Sequence, residues 1–329
     1  MKLDVILATY NRAQLLPRAI EAFLAARVPA GVEARILIVD NASTDATEAA
    51  VKPYAEAYPG RVRYLHEGRR GRAHALNAGI AATGGELVGF LDDDETVTAD
   101  WIEVVYREMG EPGLDFIGGP YVPNWLAPRP DWMPAFCHGA IGVIDHGKCR
   151  FHYGIDEVGL HPSGGNVVIR RGALELVGPY VDTYEHAEDY DMALRLIAAG
   201  VRGDYVPDLI IHHDIPPRRL TRAFLRHWHY SDGRTRGRIY AEGRGREVGT
   251  PLLGVPRWFY RRGARDTVTA LFDGLRGPTQ RGVEAQMRAI HFAGFVVGRW
   301  RPPTPPHRRR DRSGDQARAP GGATGAPHP

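Results

Sequence analysis

Residues 86–96 read ELVGFLDDDET, an apolar run that ends in four consecutive acids, Asp92, Asp93, Asp94 and Glu95. Like charges crowded at the end of a buried strand repel one another and lose solvation, so they call for a cation. A hard divalent ion, Mg²⁺ or Mn²⁺, takes a few carboxylate oxygens and completes its shell with water and phosphate. On an extended strand end Asp92 and Asp94 share one face and Asp93 points away. A bound ion also reverses the pKa logic that makes the acids costly. Other groups with chemical potential sit in similar places. Thr9-Tyr10-Asn11-Arg12 and Asp40-Asn41 each end an apolar run, Glu188-Asp189 opens a helical pattern, and His212-His213 falls in LIIHHD.

The elements that must position these groups alternate between two periods. Strands are expected over 3–9, 34–40, 62–67, 86–92 and 114–120. Helices are expected over 13–26, from the Asn41–Asp45 turn to Ala57, over 72–82 and over 99–109. Pro53 should kink or shorten the second helix. Continuous apolar strands alternating with helices mean an α/β fold, a mostly parallel sheet flanked by helices on both faces. Ligands bind at the carboxyl ends of such strands, so Thr9–Arg12, Asp40 and Asp92–Asp94 converge on one edge. Residues 121–160 read as an irregular excursion, and 161–171 returns to a strand. Helices follow near 172–177 and 188–199, then one or two short strands over 201–214, then Arg- and aromatic-rich helices to about 299.

TYNR, VDNASTD, GRAHALNAGI, FLDDD, the SGGN segment and AEDYDMALRL occur in that order. Together they resemble glycosyltransferase family 2, over roughly residues 1–215. The resemblance implies a Rossmann-like GT-A catalytic domain, with a nucleotide-sugar half over about 1–120 and an acceptor half over about 121–215. It implies a nucleoside-diphosphate sugar donor, most often uridine-linked, a Mn²⁺ or Mg²⁺ cofactor and inversion at the anomeric carbon. Carried over by position, Thr9, Tyr10, Asn11 and Arg12 resemble the wall around base and ribose, and Asp40 the carboxylate that meets the uracil ring. Arg72 resembles the residues beside base and diphosphate, and Asn77 fixes its loop. Asp92-Asp93-Asp94 matches the DxD element, with Asp92 towards ribose and metal and Asp94 on the metal. Asp189 of the Glu188-Asp189 pair resembles the general base. His212 or His213 resembles a histidine that completes the metal shell; alternation sends the two to opposite faces, so at most one serves.

Each of these residues has a plainer rival. Asp40 could cap the next helix, and Asp189 could complement a helix dipole alongside Glu188 and Asp191. Gly164, Gly165 and Asn166 either let backbone approach the sugar or form a turn. RHWHYSDG (226–233) is an acceptor surface or ordinary packing. The same fold without transfer activity would give a nucleotide-sugar binding protein. A nucleotidyltransferase or a dinucleotide-dependent dehydrogenase needs a Gly-rich loop after the first strand, where this chain has ATYNRAQLLP.

The totals suit this reading. The chain has 329 residues, 43% hydrophobic and 25% charged, the balance of a globular protein. No signal peptide and no membrane-spanning run are expected, which points to the cytoplasm. Cys137 and Cys149 read as reduced thiols. The net charge of +3 is uneven, because 301–329 holds six arginines against Asp311 and Asp315. That segment is expected to be a disordered basic tail, after a mostly helical extension over 216–300. No nucleic-acid partner is expected. No QxxRW element and no membrane helices occur, so a single transfer to a hydroxyl acceptor is expected rather than processive synthesis. The acceptor is left open among a polysaccharide precursor, a lipid-linked sugar and a natural product. The basic, amphipathic 256–300 region would allow a peripheral contact with the inner membrane face, although packing on the catalytic domain is the simpler expectation.

Overall fold

The computed structural model describes residues 1–300 apart from 111, 155, 157–159, 185, 246–248 and 275–278. The tail expected over 301–329 lies outside the described residues. The chain opens with β1 (Lys2–Thr9), α1 (Leu16–Ala25), β2 (Glu33–Asp40), α2 (Thr47–Ala57), β3 (Val62–His66), α3 (Arg72–Ala82) and β4 (Leu87–Asp92). These four strands pair in parallel in the order β3-β2-β1-β4. Their register aligns Thr9 with Asp40, Asp40 with His66 and Ala8 with Asp92. The carboxyl ends are therefore level, and the polar clusters share one edge.

The chain continues through β5 (Glu95–Val97), α4 (Trp101–Gly110), β6 (Phe116–Gly118), β7 (Tyr121–Trp125), α5 (His138–Ile141), β8 (Phe151–His152) and β9 (Val167–Arg170). Then come α6 (Arg171–Val177), α7 (Glu188–Ala198), β10 (Gly203–Tyr205) and β11 (Ile211–Ile215). Strand β9 inserts antiparallel between β4 and β6 and extends the large sheet to β10 and β8. A second sheet, β5-β11-β7, was not expected. It pairs His213 with Glu95, which carries the histidine to the acids.

Alternation along the strands feeds two cores. Leu3, Val5 and Leu7 pack with Leu16, Ile20 and Phe23 of α1 and Trp101 and Val105 of α4. Ile6, Val88 and Phe90 face Leu76 of α3, Leu174 of α6 and Met192 and Leu196 of α7. Each such side chain contributes about 1.5–3 kcal/mol when fully buried. One boundary differs from expectation, and Pro53 does not shorten its helix. Helix α1 starts at Leu16, not 13, because Ala13 N–H donates to Asp45 Oδ2 at 3.1 Å and Leu15 N–H to Arg12 O at 2.9 Å. Helix α2 runs through Pro53, which faces solvent, where water can take the carbonyl the ring leaves unpaired.

The extension holds α8 (Arg222–Ala241), the short pair β12 (Pro251–Leu252) and β13 (Val255–Pro256), α9 (Arg257–Gly274) and α10 (Gln280–Trp300). It shares a core with the 121–160 excursion, where Met133, Cys137 and Ile141 meet Leu225, Val283 and Met287. Packing does not cover all of it. Val268, Leu271 and Phe272 of α9 are exposed at helical spacing. Among the described residues no helix is long and apolar enough to cross a membrane.

Candidate active site

The first wall is built by loops that need strained backbone. Asn11 has φ 53°, Ala42 φ 59° and Ala187 φ 60°, conformations rare for residues with a Cβ. Each lies in a loop that ends at this edge, where strain tends to collect at functional sites. Asn11 Oδ1 accepts from Thr44 N–H at 2.7 Å, and Asn11 N–H donates to Ser43 Oγ at 2.9 Å. Arg70 lies 4.1 Å over the Tyr10 ring. Asp40 is buried; it accepts from Ser43 N–H at 2.8 Å and Tyr64 Oη–H at 2.7 Å. These bonds close the turn after β2 and do not cap α2, whose first residue, Thr47, donates to Asp45 Oδ1 at 3.1 Å instead; a role towards a base must share the Asp40 carboxylate with them. Asn41 holds Arg69 O and Gly71 N–H at 2.7 Å each and so sets the start of α3.

The four acids find different partners within the chain. The strand ends at Asp92 and turns, so the alternation expected for Asp92 and Asp94 does not govern them. Asp92 Oδ1 accepts from Arg72 Nη2 at 2.8 Å. Asp93 accepts from Thr9 Oγ1 at 2.8 Å; burial, then the charge of Asp94, pushes its carboxyl up to about 7. Burial also pushes Asp94 upwards, but His213 and Arg219 outweigh it and hold the carboxyl at about 2. Glu95 is buried, and burial followed by the Asp92 charge raises it well above the carboxylate range. The crowding is thus resolved by two arginines and by protonation. Arg219 went unnoticed in the sequence, because PPRRL carries no period or motif that marks it.

Arg72 ties the acids after β4 to α7, the helix that carries the Glu188-Asp189 pair. Its Nη1 donates to Glu188 Oε1 at 2.9 Å and its Nη2 to Gly164 O at 3.3 Å. Gly164 N–H in turn donates to Asp189 Oδ2 at 3.1 Å. Asp189 Oδ1 accepts from Tyr190 N–H at 2.8 Å, so the helix-start role is filled as well. Asn77 pairs with Tyr180 N–H and O, both at 2.9 Å, and fixes the loop ahead of α7.

In the SGGN segment Gly164 and Gly165 form a turn, and the side chains around them fix it. Asn166 is fully buried; its Oδ1 accepts from Trp101 Nε1 at 2.9 Å, and its Nδ2 reaches Pro120 O and Leu209 O. Its amide is held within the framework by these three partners. Gly165 is buried, its N–H donates to Tyr121 Oη at 2.7 Å, and an added Cβ would fall on the Glu95 carboxyl. Glycine is therefore required there by Glu95.

The histidine pair resolves in the same way. His212 is exposed on the other face of β11, so of the two only His213 reaches the acids. His213 is buried, with Nε2 3.3 Å from Asp94 Oδ1. Its Nδ1 lies 2.7 Å from Gly142 O, which can only accept, so Nδ1 holds the proton. Arg219 Nη1 donates to Nε2 at 2.7 Å, and Arg219 Nη2 reaches Asp94 Oδ2 at 2.8 Å. Gly142 itself sits at φ 81°, and any Cβ there would strike the His213 ring.

These residues fit a divalent ion. A carboxylate and an imidazole lone pair, oriented from behind by a carbonyl, converge where a guanidinium now supplies positive charge. Among the described residues no three His, Cys, Asp or Glu form a closed cage. Mg²⁺-type sites need only one or two protein carboxylates when substrate phosphates complete the shell.

The family model for glycosyl transferase family 2 matches residues 4–175. The succinoglycan biosynthesis protein ExoM of Rhizobium meliloti is 26% identical over 246 residues, 74% of this chain and 76% of that one. The pre-mycofactocin glycosyltransferase of Mycobacterium tuberculosis is 27% identical over 194 residues, 59% of this chain and 39% of that longer one. In fold, the chain resembles the mannosyltransferase PcManGT of Pyrobaculum calidifontis, solved with GDP-Man and Mn²⁺. The TM-score is 0.60 and the identity 19%, with 91% of this chain and 87% of that one covered. It also resembles S. aureus TarS 1-349 solved with UDP, at a TM-score of 0.51 and 16% identity, covering 91% and 90%.

Proposed function

Since the chain belongs to glycosyl transferase family 2 and is a nucleotide-sugar transferase, we propose that it moves one sugar, with inversion, from a uridine diphosphate donor to a hydroxyl acceptor. One observation carries this reading. The Arg72 guanidinium bridges Asp92 at the end of β4 and Glu188 at the start of α7, and Asp189 lies beside it on Gly164. A donor-side carboxylate cluster and a candidate base are thereby held a fixed way apart. Asp189 takes the proton of the acceptor hydroxyl as that oxygen bonds to the anomeric carbon. The bond from that carbon to the diphosphate breaks, and the diphosphate leaves with the electron pair. Thr9, Tyr10, Asn11, Arg12 and Asp40 hold the nucleoside, and Arg72 faces the charge that grows on the diphosphate. Asp94, with His213 or Asp92, would hold Mn²⁺ or Mg²⁺, which would supply positive charge against the leaving diphosphate.

The test is a panel of UDP-, GDP- and dTDP-sugars with Mn²⁺, Mg²⁺ or EDTA, reading released nucleotide and calorimetric binding. One donor should stand out, and EDTA should abolish its turnover. Asp189→Asn should lower turnover about 10²–10⁴-fold, the range of a lost general base, while donor affinity stays within a few fold. Turnover that survives Asp189→Asn would sink the mechanism. Failure of every donor to bind with any metal would sink the reading.

A further inference from the structure

Helix α9 packs against α10 and β13 on one side and leaves the other side to solvent. We propose that this outer face docks on the surface of a membrane that carries anionic phospholipids. The proposal concerns where the protein works and does not rest on its donor, its acceptor or its chemistry. Val268, Leu271 and Phe272 are 52%, 67% and 66% exposed. Arg257, Arg261 and Arg265 are exposed as well. The six share one face, because steps of three and four residues return to the same side of an α-helix. Packing fixes the opposite side. Phe259 is buried against Phe292 and Phe295 of α10, and an added Cβ at Gly263 would strike the Phe292 ring.

Acids are kept off the outer face. Helix α9 has two aspartates, and both turn inward. Asp266 is buried, and a Cβ added at Gly282 of α10 would strike Asp273. Among the described residues, the ion pairs of α9 run from Arg262 and Arg265 to Asp266, and none reaches Arg257 or Arg261. A helix built only to face water would mix the two signs along its exposed side. This one is positive towards its start and apolar towards its end.

Charge selects the occupant. A second copy of this face would set arginines against arginines or against apolar side chains, since among its described residues the face offers no carboxylate. The chain's own tail does not suit it either. Residues 301–329 hold six arginines and no Leu, Ile, Val, Met or Phe. An anionic lipid surface answers both halves. Its phosphates take the guanidinium groups, and the acyl boundary just beneath takes Val268, Leu271 and Phe272. The long arginine stems let the charges stay at the phosphate level while the end of the helix sinks below it.

Co-sedimentation of the full chain would compare vesicles of phosphatidylcholine alone with vesicles that also contain phosphatidylglycerol. The mixed vesicles should bind the protein at least about tenfold more tightly. Arg261→Gln should weaken that binding about fivefold, the scale of one basic residue at such a surface. Leu271→Ser combined with Phe272→Ser should weaken it at least about tenfold. Phe272→Trp gives a second measurement that does not depend on loss of function. It should keep the affinity, and its added fluorescence should be quenched by brominated acyl chains beyond that of the parent. No binding to the mixed vesicles, equal binding to both kinds, binding untouched by the double substitution, or no added quenching in Phe272→Trp would overturn the proposal. A lipid-free dimer that the double substitution splits, seen by analytical ultracentrifugation, would assign the face to a second copy instead.

Discussion

Asp94 and His213 share a counter-ion from their own chain, and that sets the behaviour of the cation position. Arg219 donates to both at 2.8 and 2.7 Å, so a divalent ion arriving there must displace a guanidinium. Arg219→Gln removes that competitor and leaves the two ligands in place. Mn²⁺ alone should bind the variant about tenfold more tightly, the scale of one charge-assisted hydrogen bond. Titration followed by electron paramagnetic resonance reads this without any turnover. Weaker or unchanged Mn²⁺ affinity would mean that Arg219 organises the site instead of filling it.

At the scale of elements, the α8–α10 contact depends on close backbone approach. Gly233 and Gly237 on α8 and Gly294 and Gly298 on α10 are each spaced by four and face the other helix. A Cβ at Gly237 would fall on Phe295 O, and one at Gly298 on Arg234 O. Side chains cannot yield there because the obstacle is backbone. Gly237→Leu should therefore force the helices apart and destabilise the protein by at least about 1–3 kcal/mol, the usual cost of overpacking. Thermal unfolding checks this, with Gly243→Ala unsuitable as a control because Gly243 has positive φ and Gly172→Ala suitable because its Cβ would meet open space. An unchanged melting temperature for Gly237→Leu would refute the contact.

At the scale of the whole molecule, the extension and the catalytic half unfold together if their shared core is real. His229 reports on this, lying where α8, α10 and the excursion meet. Burial first, then the charge of His291 on α10 and against the pull of Asp232, lowers its pKa to about 4. Asp232, Arg236, Arg262, Asp266, Arg288 and His291 line the same cavity between α5, α8, α9 and α10 as His229. The unfolded chain binds this proton at about 6.5 while the folded chain resists it to about 4. Stability should therefore fall as pH drops from about 6.5 to about 4, by on the order of 3 kcal/mol. His229→Gln should flatten that window in a melting-temperature series. An unaltered slope would place the acid sensitivity elsewhere.

Much of the first half was legible in the sequence because its signals are local. Apolar runs with β-branched residues, helical spacing and turn residues specify β1–α3–β4, and strand ends in a parallel sheet must meet at one edge. That logic reaches Thr9, Asp40 and Asp92 without a structure. What it could not reach depends on contacts distant in sequence. Strand β11 pairs with β5 across more than a hundred residues, and only that pairing separates His213 from His212. The partners of the Asn166 amide, Trp101, Pro120 and Leu209, likewise lie far along the chain. The four acids raised a question of charge that sequence alone could state. The tertiary structure answered it with Arg72 and Arg219, because electrostatic partners are set by position in space and no periodicity encodes them.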